Sequence, residues 1–166
     1  MTDCYPYRVL TRTGHLALIW RPGEGDDPDT FAVDGAGALL VFHDPQTLRT
    51  YCERKRWELI RDGAAELDPA AVRQWVGRPE VCPVPSGFLL DAWNFFEDLA
   101  WSLTSGPSLA PQGPVHDSAY EKFFGGDVPG PADDGAWTDE EAAAVRDFLT
   151  TGLELWEHAV RGAAAR

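Results

Sequence analysis

The chain has 166 residues, 44% of them hydrophobic and seven of them Trp, which is enough apolar mass for one core and excludes disorder throughout. Its 27 acidic residues against 14 basic ones give a formal charge of −13. That balance repels nucleic acid and anionic membrane surfaces; it either attracts a basic protein or only keeps the chain soluble.

The N-terminus, MTDCYPYRVLTRTG, has no charged start followed by an apolar run. No stretch approaches the roughly 18 apolar residues that cross a bilayer. A cytoplasmic protein without membrane contact is expected. Cys4, Cys52 and Cys82 are too widely spaced for a zinc site and are expected to be reduced, partly buried thiols.

Tyr5 to Thr11 and His15 to Trp20 read as two strands joined by a turn at Thr13-Gly14. A polar loop, RPGEGDDPDT, follows. Phe31 to Val33 can resume the sheet, Asp34-Gly35 is a turn, and ALLVF (Ala38 to Phe42) is a buried strand by length and content. Asp44-Pro45 then starts a helix running to about Lys55, with Asp44 as cap and Pro45 in the first helical position. Trp57 to Ile60 is a short strand. Asp68-Pro69 repeats the start signal, Leu67 can staple onto Val72, and this helix ends at Gly77.

The longest apolar pattern is PSGFLLDAWNFFEDLAWSLTSG, Pro85 to Gly106, read as one helix with Ser86 as cap and Ser105-Gly106-Pro107 as stop. At 3.6 residues per turn, Phe88, Leu89, Ala92, Trp93, Phe95, Phe96, Leu99, Ala100 and Leu103 share an arc just under half the circumference wide. A stripe that wide needs cover on more than one side. Asp91, Asn94, Glu97, Asp98 and Ser102 occupy the opposite arc, with Leu90 and Trp101 among them. From Pro107 to Ala136 the pattern is irregular, apart from HDSAYEKFF, which suits one or two helical turns; Tyr120, Phe123 and Phe124 favour wrapping over a core. Thr138 and Glu141 form a capping box that opens a last helix. Its stripe is Ala142, Val145, Leu149, Leu153, Trp156 and Val160. The tail from Ala163 is expected to fray.

The sum is one α+β domain over residues 1–166. A small N-terminal antiparallel or mixed sheet with short helices packs against two long C-terminal helices.

No catalytic, metal or nucleotide motif is present, so no cofactor and no enzymatic activity are expected. His43-Asp44 and His116-Asp117 resemble acid/base pairs, but each also reads as a helix start. Arg49, Arg54, Lys55, Arg56 and Arg61 put five of the basic residues within thirteen positions. Such a run either contacts phosphate or is a solvated helix end. Asp91, Asn94 and Asp98 line one helical face, as a metal or acid/base site would, or as the solvated side of a core helix does. Leu90 and Trp101 beside those acids read as an apolar anchor in a protein-contact patch, or as a surface covered by the Pro107–Ala136 loop. Leu90, Asp91, Asn94, Glu97, Asp98 and Trp101 are therefore the candidate partner-binding residues. Two further acidic clusters, Asp26/Asp27/Asp29 and Asp127/Asp133/Asp134, are weaker candidates.

Three segments carry a resemblance: LLDAWNFFEDLAWSL (Leu89 to Leu103), AYEKFFGGDVPG (Ala119 to Gly130) and WTDEEAAAVRDFLTTGLELW (Trp137 to Trp156). Together they resemble a set of small bacterial proteins identified with immunity in contact-dependent inhibition and other polymorphic-toxin systems. The resemblance covers about the C-terminal half. It departs at Phe124, Gly125, Gly126 and Asp127, where the set has Trp-Gly-Asn-Asn. It implies a non-enzymatic protein that binds a cognate toxin and occludes its active site. Many such toxins are basic nucleases, which an acidic inhibitor would suit. The competing readings are a small cytosolic enzyme with an unrecognised site, around His43 or the Asp91/Asp98 face, and a stand-alone protein-interaction module.

Overall fold

The computed structural model describes residues 2–63, 65–80, 84–124 and 137–165. Cys82 and the acids Asp127, Asp133 and Asp134 lie outside the described residues.

The N-terminal half is a mixed sheet built on one hairpin. Strand β1 (Thr2–Thr11) pairs antiparallel with β2 (Gly14–Arg21), with Thr11 opposite Gly14. Gly14 sits at φ 151, where a side chain is disfavoured, and closes the two-residue turn Arg12-Thr13. Strand β3 (Thr30–Phe31) extends the sheet beyond β2. The other edge of β1 takes two parallel partners in succession. Strand β5 (Trp57–Leu59) pairs with Thr2 to Cys4, and β6 (Ala65–Leu67) pairs with Tyr7 to Val9. Strand β4 (Leu40–Val41) hangs on β2 through the Ala17–Phe42 bridge.

Successive residues of β1 and β2 point to opposite faces, so the sheet is apolar on both. Cys4 and Ile19 face helix α1 (Pro45–Lys55), forming a small core with Leu48, Cys52 and Phe42. Tyr7, Val9 and Leu18 face the other way, into the main core. Both predicted caps form: Asp44 accepts from the Thr47 N–H, and Asp68 accepts from the Ala71 N–H to start α2 (Pro69–Gly77). Leu67 and Val72, the expected staple, are both buried.

The central helix is α3 (Ser86–Ser102), one turn shorter than expected. Pro85, not Ser86, is the capping position, and no side-chain bond closes that end. The other end stops at Ser102 because its hydroxyl is engaged twice. It donates to the Asp98 carbonyl at 2.5 Å and accepts from the Phe31 N–H at 2.7 Å, while Leu103 turns extended. Leu89, Ala92, Trp93, Phe95, Phe96 and Leu99 are buried as the stripe requires.

Helix α4 (Pro114–Glu121), continued by a 3₁₀ turn (Lys122–Phe124), wraps the central helix. Tyr120 and Phe123 lie 5.6 and 6.1 Å from the Trp93 ring. Helix α5 (Asp139–Arg161) opens on the Thr138/Glu141 capping box and packs on α2, α3 and α4. Phe148, Gly152, Leu155 and Ala159 join the predicted buried positions, so its apolar face is wider than expected. Glu141 is only 5% exposed. Burial alone would raise its carboxyl, but the Lys122 ammonium, the Thr138 N–H and the Ser118 hydroxyl outweigh it and hold it down at about 2. The tail does not fray as expected: β7 (Ala164–Ala165) pairs parallel with Leu40 and Val41, satisfying backbone groups of both short strands.

Candidate functional site

The arc of α3 that is not spent on the core borders an open cleft of about 830 Å³. Its walls are α3, the β1–β2 hairpin and the segment leading into β6. Asp91, Asn94, Glu97 and Asp98 supply one wall; Tyr5, Tyr7 and Trp20 come from the sheet and Tyr120 from α4. Asp29, Asp62 and Glu66 add carboxylates from three further positions. Among the described residues, six acids thus line the cleft and no Lys, Arg or His does. Glu66 has a salt bridge, 3.5 Å from Arg8, with both side chains about half exposed. Among the described residues the other five have no ion-pair partner.

The fold holds these acids with neutral donors instead. The Trp20 indole N–H donates to Asp98 at 3.0 Å, tying β2 to the central helix. Trp93 and Gln112 donate to the same Glu97 oxygen at 2.7 and 2.9 Å. The Tyr120 hydroxyl donates to Asn94 at 2.9 Å. Asp29 accepts from the Gly23 N–H at 2.7 Å. Such donors fix the rotamers without cancelling the charge.

The charge is crowded as a result. Burial pushes the Asp98 carboxyl up to about 6; the Trp20 bond opposes this, and the charges of Asp29 and Glu97 add to it. Burial also raises Asp91. Tyr7 is raised by burial and then by the charges of Asp91 and Asp98, so its hydroxyl stays protonated. A cation entering here would meet carboxylates and aromatic side chains lining one cleft.

Of the six candidate residues, the structure brings Asp91, Asn94, Glu97 and Asp98 together on the cleft wall. Leu90 is partly buried and packs against the main core, so it is not a free anchor. Trp101 is 68% exposed and does not line the cleft. By helical phase it follows Asn94 and Glu97 one turn further on, beside the cleft's end. The acid/base pairs resolve as helix starts. His43 is exposed next to the capping Asp44, and His116 Nδ1 accepts from the Gly113 N–H at 3.2 Å. Asp62 and Glu66 had no sequence signal, since neither shares a helix or a motif with α3. The described residues contain no group of three or more His, Cys, Asp or Glu placed to hold a metal ion. Among them no helix is long and apolar enough to cross a membrane.

No protein-family model and no curated protein matches the sequence. Among solved structures, the fold is similar to that of the SatS C-terminal domain in complex with bromine. The TM-score is 0.56, the identity is 14%, and the match covers 98% of this chain and 94% of that one. At that identity the likeness speaks for the α+β fold along the whole chain and for nothing more.

Proposed function

We propose that the protein is an immunity-type inhibitor. It captures a cognate toxin domain, a basic nuclease being the best fit, by taking basic side chains of the toxin into the acidic cleft and so covering the toxin's active site. The observation that carries this reading is the convergence, in one cleft, of five carboxylates without counter-ions among the described residues and of Tyr5, Tyr7, Trp20 and Tyr120. An arginine or lysine entering the cleft would gain charge-assisted hydrogen bonds and a cation–π contact in one place. The net charge of −13 would steer a basic partner toward it. Exposed Trp101, beside the cleft, would add an aromatic contact of the kind that anchors interfaces. The resemblance of the three C-terminal segments supports the same reading.

The first test is whether the adjacent upstream gene encodes a large protein with a C-terminal toxin domain; that domain is then co-expressed with this protein, scored by co-purification and by rescue of growth. Combined Asp62→Lys and Asp91→Lys, at two exposed positions on the cleft, should weaken binding and abolish rescue while leaving the melting temperature near wild type. Binding should also weaken as salt rises. Complex formation that ignores both the reversals and salt would overturn the cleft as the toxin site.

A second reading, a small enzyme, draws on Asp98, whose proton is held near neutral pH inside a cleft. The described side chains nearest it are further carboxylates, amide and aromatic groups, an arrangement better suited to holding a cation than to moving a proton between an acid and a base.

A further inference from the structure

On the opposite face of the sheet from the acidic cleft lies a second, smaller pocket of about 250 Å³, between α1 and the β1–β2 hairpin. Its charge is reversed. Arg8 and His15 reach it from the hairpin, Arg49 from α1, and Arg61 from the segment after β5. Its apolar surface comes from Ala17, Leu48 and Leu59.

Three guanidinium groups around one small pocket repel each other. A chain with 27 acidic residues could have neutralised them, and among the described residues it does so only for Arg8, through Glu66 at 3.5 Å. Arg49 and Arg61 have no acidic partner among the described residues. The Nε of Arg49 is buried and has no hydrogen-bond acceptor, although a buried donor left unmade is costly. Arg49 and Arg61 on one small pocket, neither with an acidic partner among the described residues, are a pair of guanidinium groups whose remaining N–H donors suit a planar oxyanion. The basic run from Arg49 to Arg61 is therefore more than a solvated helix end: the fold folds its two ends, Arg49 and Arg61, onto one pocket.

We propose that this pocket binds a small organic oxyanion, a phosphate monoester or carboxylate on a short apolar body. The oxyanion would pair with Arg49 and Arg61, and the body would lie on Leu48 and Leu59. This site is independent of the toxin reading, since it sits across the sheet from the cleft.

The test is calorimetric titration of the whole protein with phenyl phosphate, inorganic phosphate and phenol. Phenyl phosphate should saturate one site and bind about tenfold more tightly than inorganic phosphate, and phenol should not bind, because one probe lacks the apolar body and the other the charge. Arg49→Gln should weaken phenyl phosphate binding by about tenfold or more. Arg61→Gln, at an exposed position, should do the same and serves if the first variant is unstable. Asp98→Asn, across the sheet, should leave binding unchanged. No saturable binding of phenyl phosphate, or binding that survives Arg61→Gln, would overturn the proposal.

Discussion

Gly152, in the middle of α5, faces the ring of Phe96 on α3 so closely that a side chain there would overlap the ring, and its Cβ would stand 2.9 Å from the Cβ of Phe96. Glycine inside a helix normally costs about 1 kcal/mol relative to alanine. Here it sets the distance between the two long helices. Gly152→Ala, stabilising on an exposed helix, should instead destabilise by about 1–3 kcal/mol through overpacking. Urea denaturation measures this. A stabilised Gly152→Ala variant would mean that α3 and α5 are further apart than described.

Trp93 stacks on Phe148 with centroids 4.0 Å apart and planes 15° apart, and both side chains are fully buried. Trp93→Ala or Phe96→Ala should cost about 3–5 kcal/mol, as truncation of a large core aromatic does. Either variant melting at the wild-type temperature would contradict the assignment of this face.

Asp98 links stability to pH in an unusual direction. Its folded value, about 6, lies above the ordinary aspartate value of 3.8. The folded state therefore holds this proton more tightly than the unfolded chain does. Its contribution to stability is full below 3.8 and is lost as pH rises through about 6. Asp98→Asn keeps an acceptor for Trp20 and removes the charge. The variant should melt above wild type at pH 7, with the gap closing toward pH 4. In the toxin reading the same variant binds more weakly, so stability and binding should move in opposite directions. Parallel melting curves at both pH values would show that Asp98 is not crowded as described.

Cys4 and Cys52 are both buried, with sulfurs 3.7 Å apart. Burial raises both thiols, and with Cys4 beside it Cys52 reaches about 12. A protonated, covered thiol is a poor nucleophile. Alkylation of the native protein should spare these two, while the denatured, unreduced protein should take up three labels by intact mass. Fewer than three would reveal a disulfide.

The parts of this fold that were legible in the sequence are those decided locally. Asp44, Asp68 and the Thr138/Glu141 pair announce their helices because each cap bonds to a backbone N–H three residues away. Strand β6 went unread because Ala65–Leu67 is a strand only through its pairing with Tyr7 to Val9. Ala164 and Ala165 likewise gain order from Leu40 and Val41, more than a hundred residues earlier in the chain. Helix α3 ended early because the Ser102 hydroxyl serves Phe31, 71 positions away. The acids on α3 were visible as a helical face, but not the cleft they border. Its other walls depend on Trp20 meeting Asp98 across 78 residues, and no periodicity within either segment encodes that meeting.

The two-faced β1–β2 hairpin sets a problem for the nascent chain. Its strands are joined by a two-residue turn, so it can close within microseconds of leaving the ribosome. Cys4 and Ile19 then stand exposed on one side, and Tyr7, Val9 and Leu18 on the other. The cover for the first side begins at Pro45, but the cover for the second is not complete until α5, which starts at Asp139. At about 5–20 residues per second, that wait is on the order of ten seconds. A hairpin with bare apolar faces and an open strand edge is sticky for all of it, so the yield of soluble protein should depend on translation speed and on chaperones that shield extended segments.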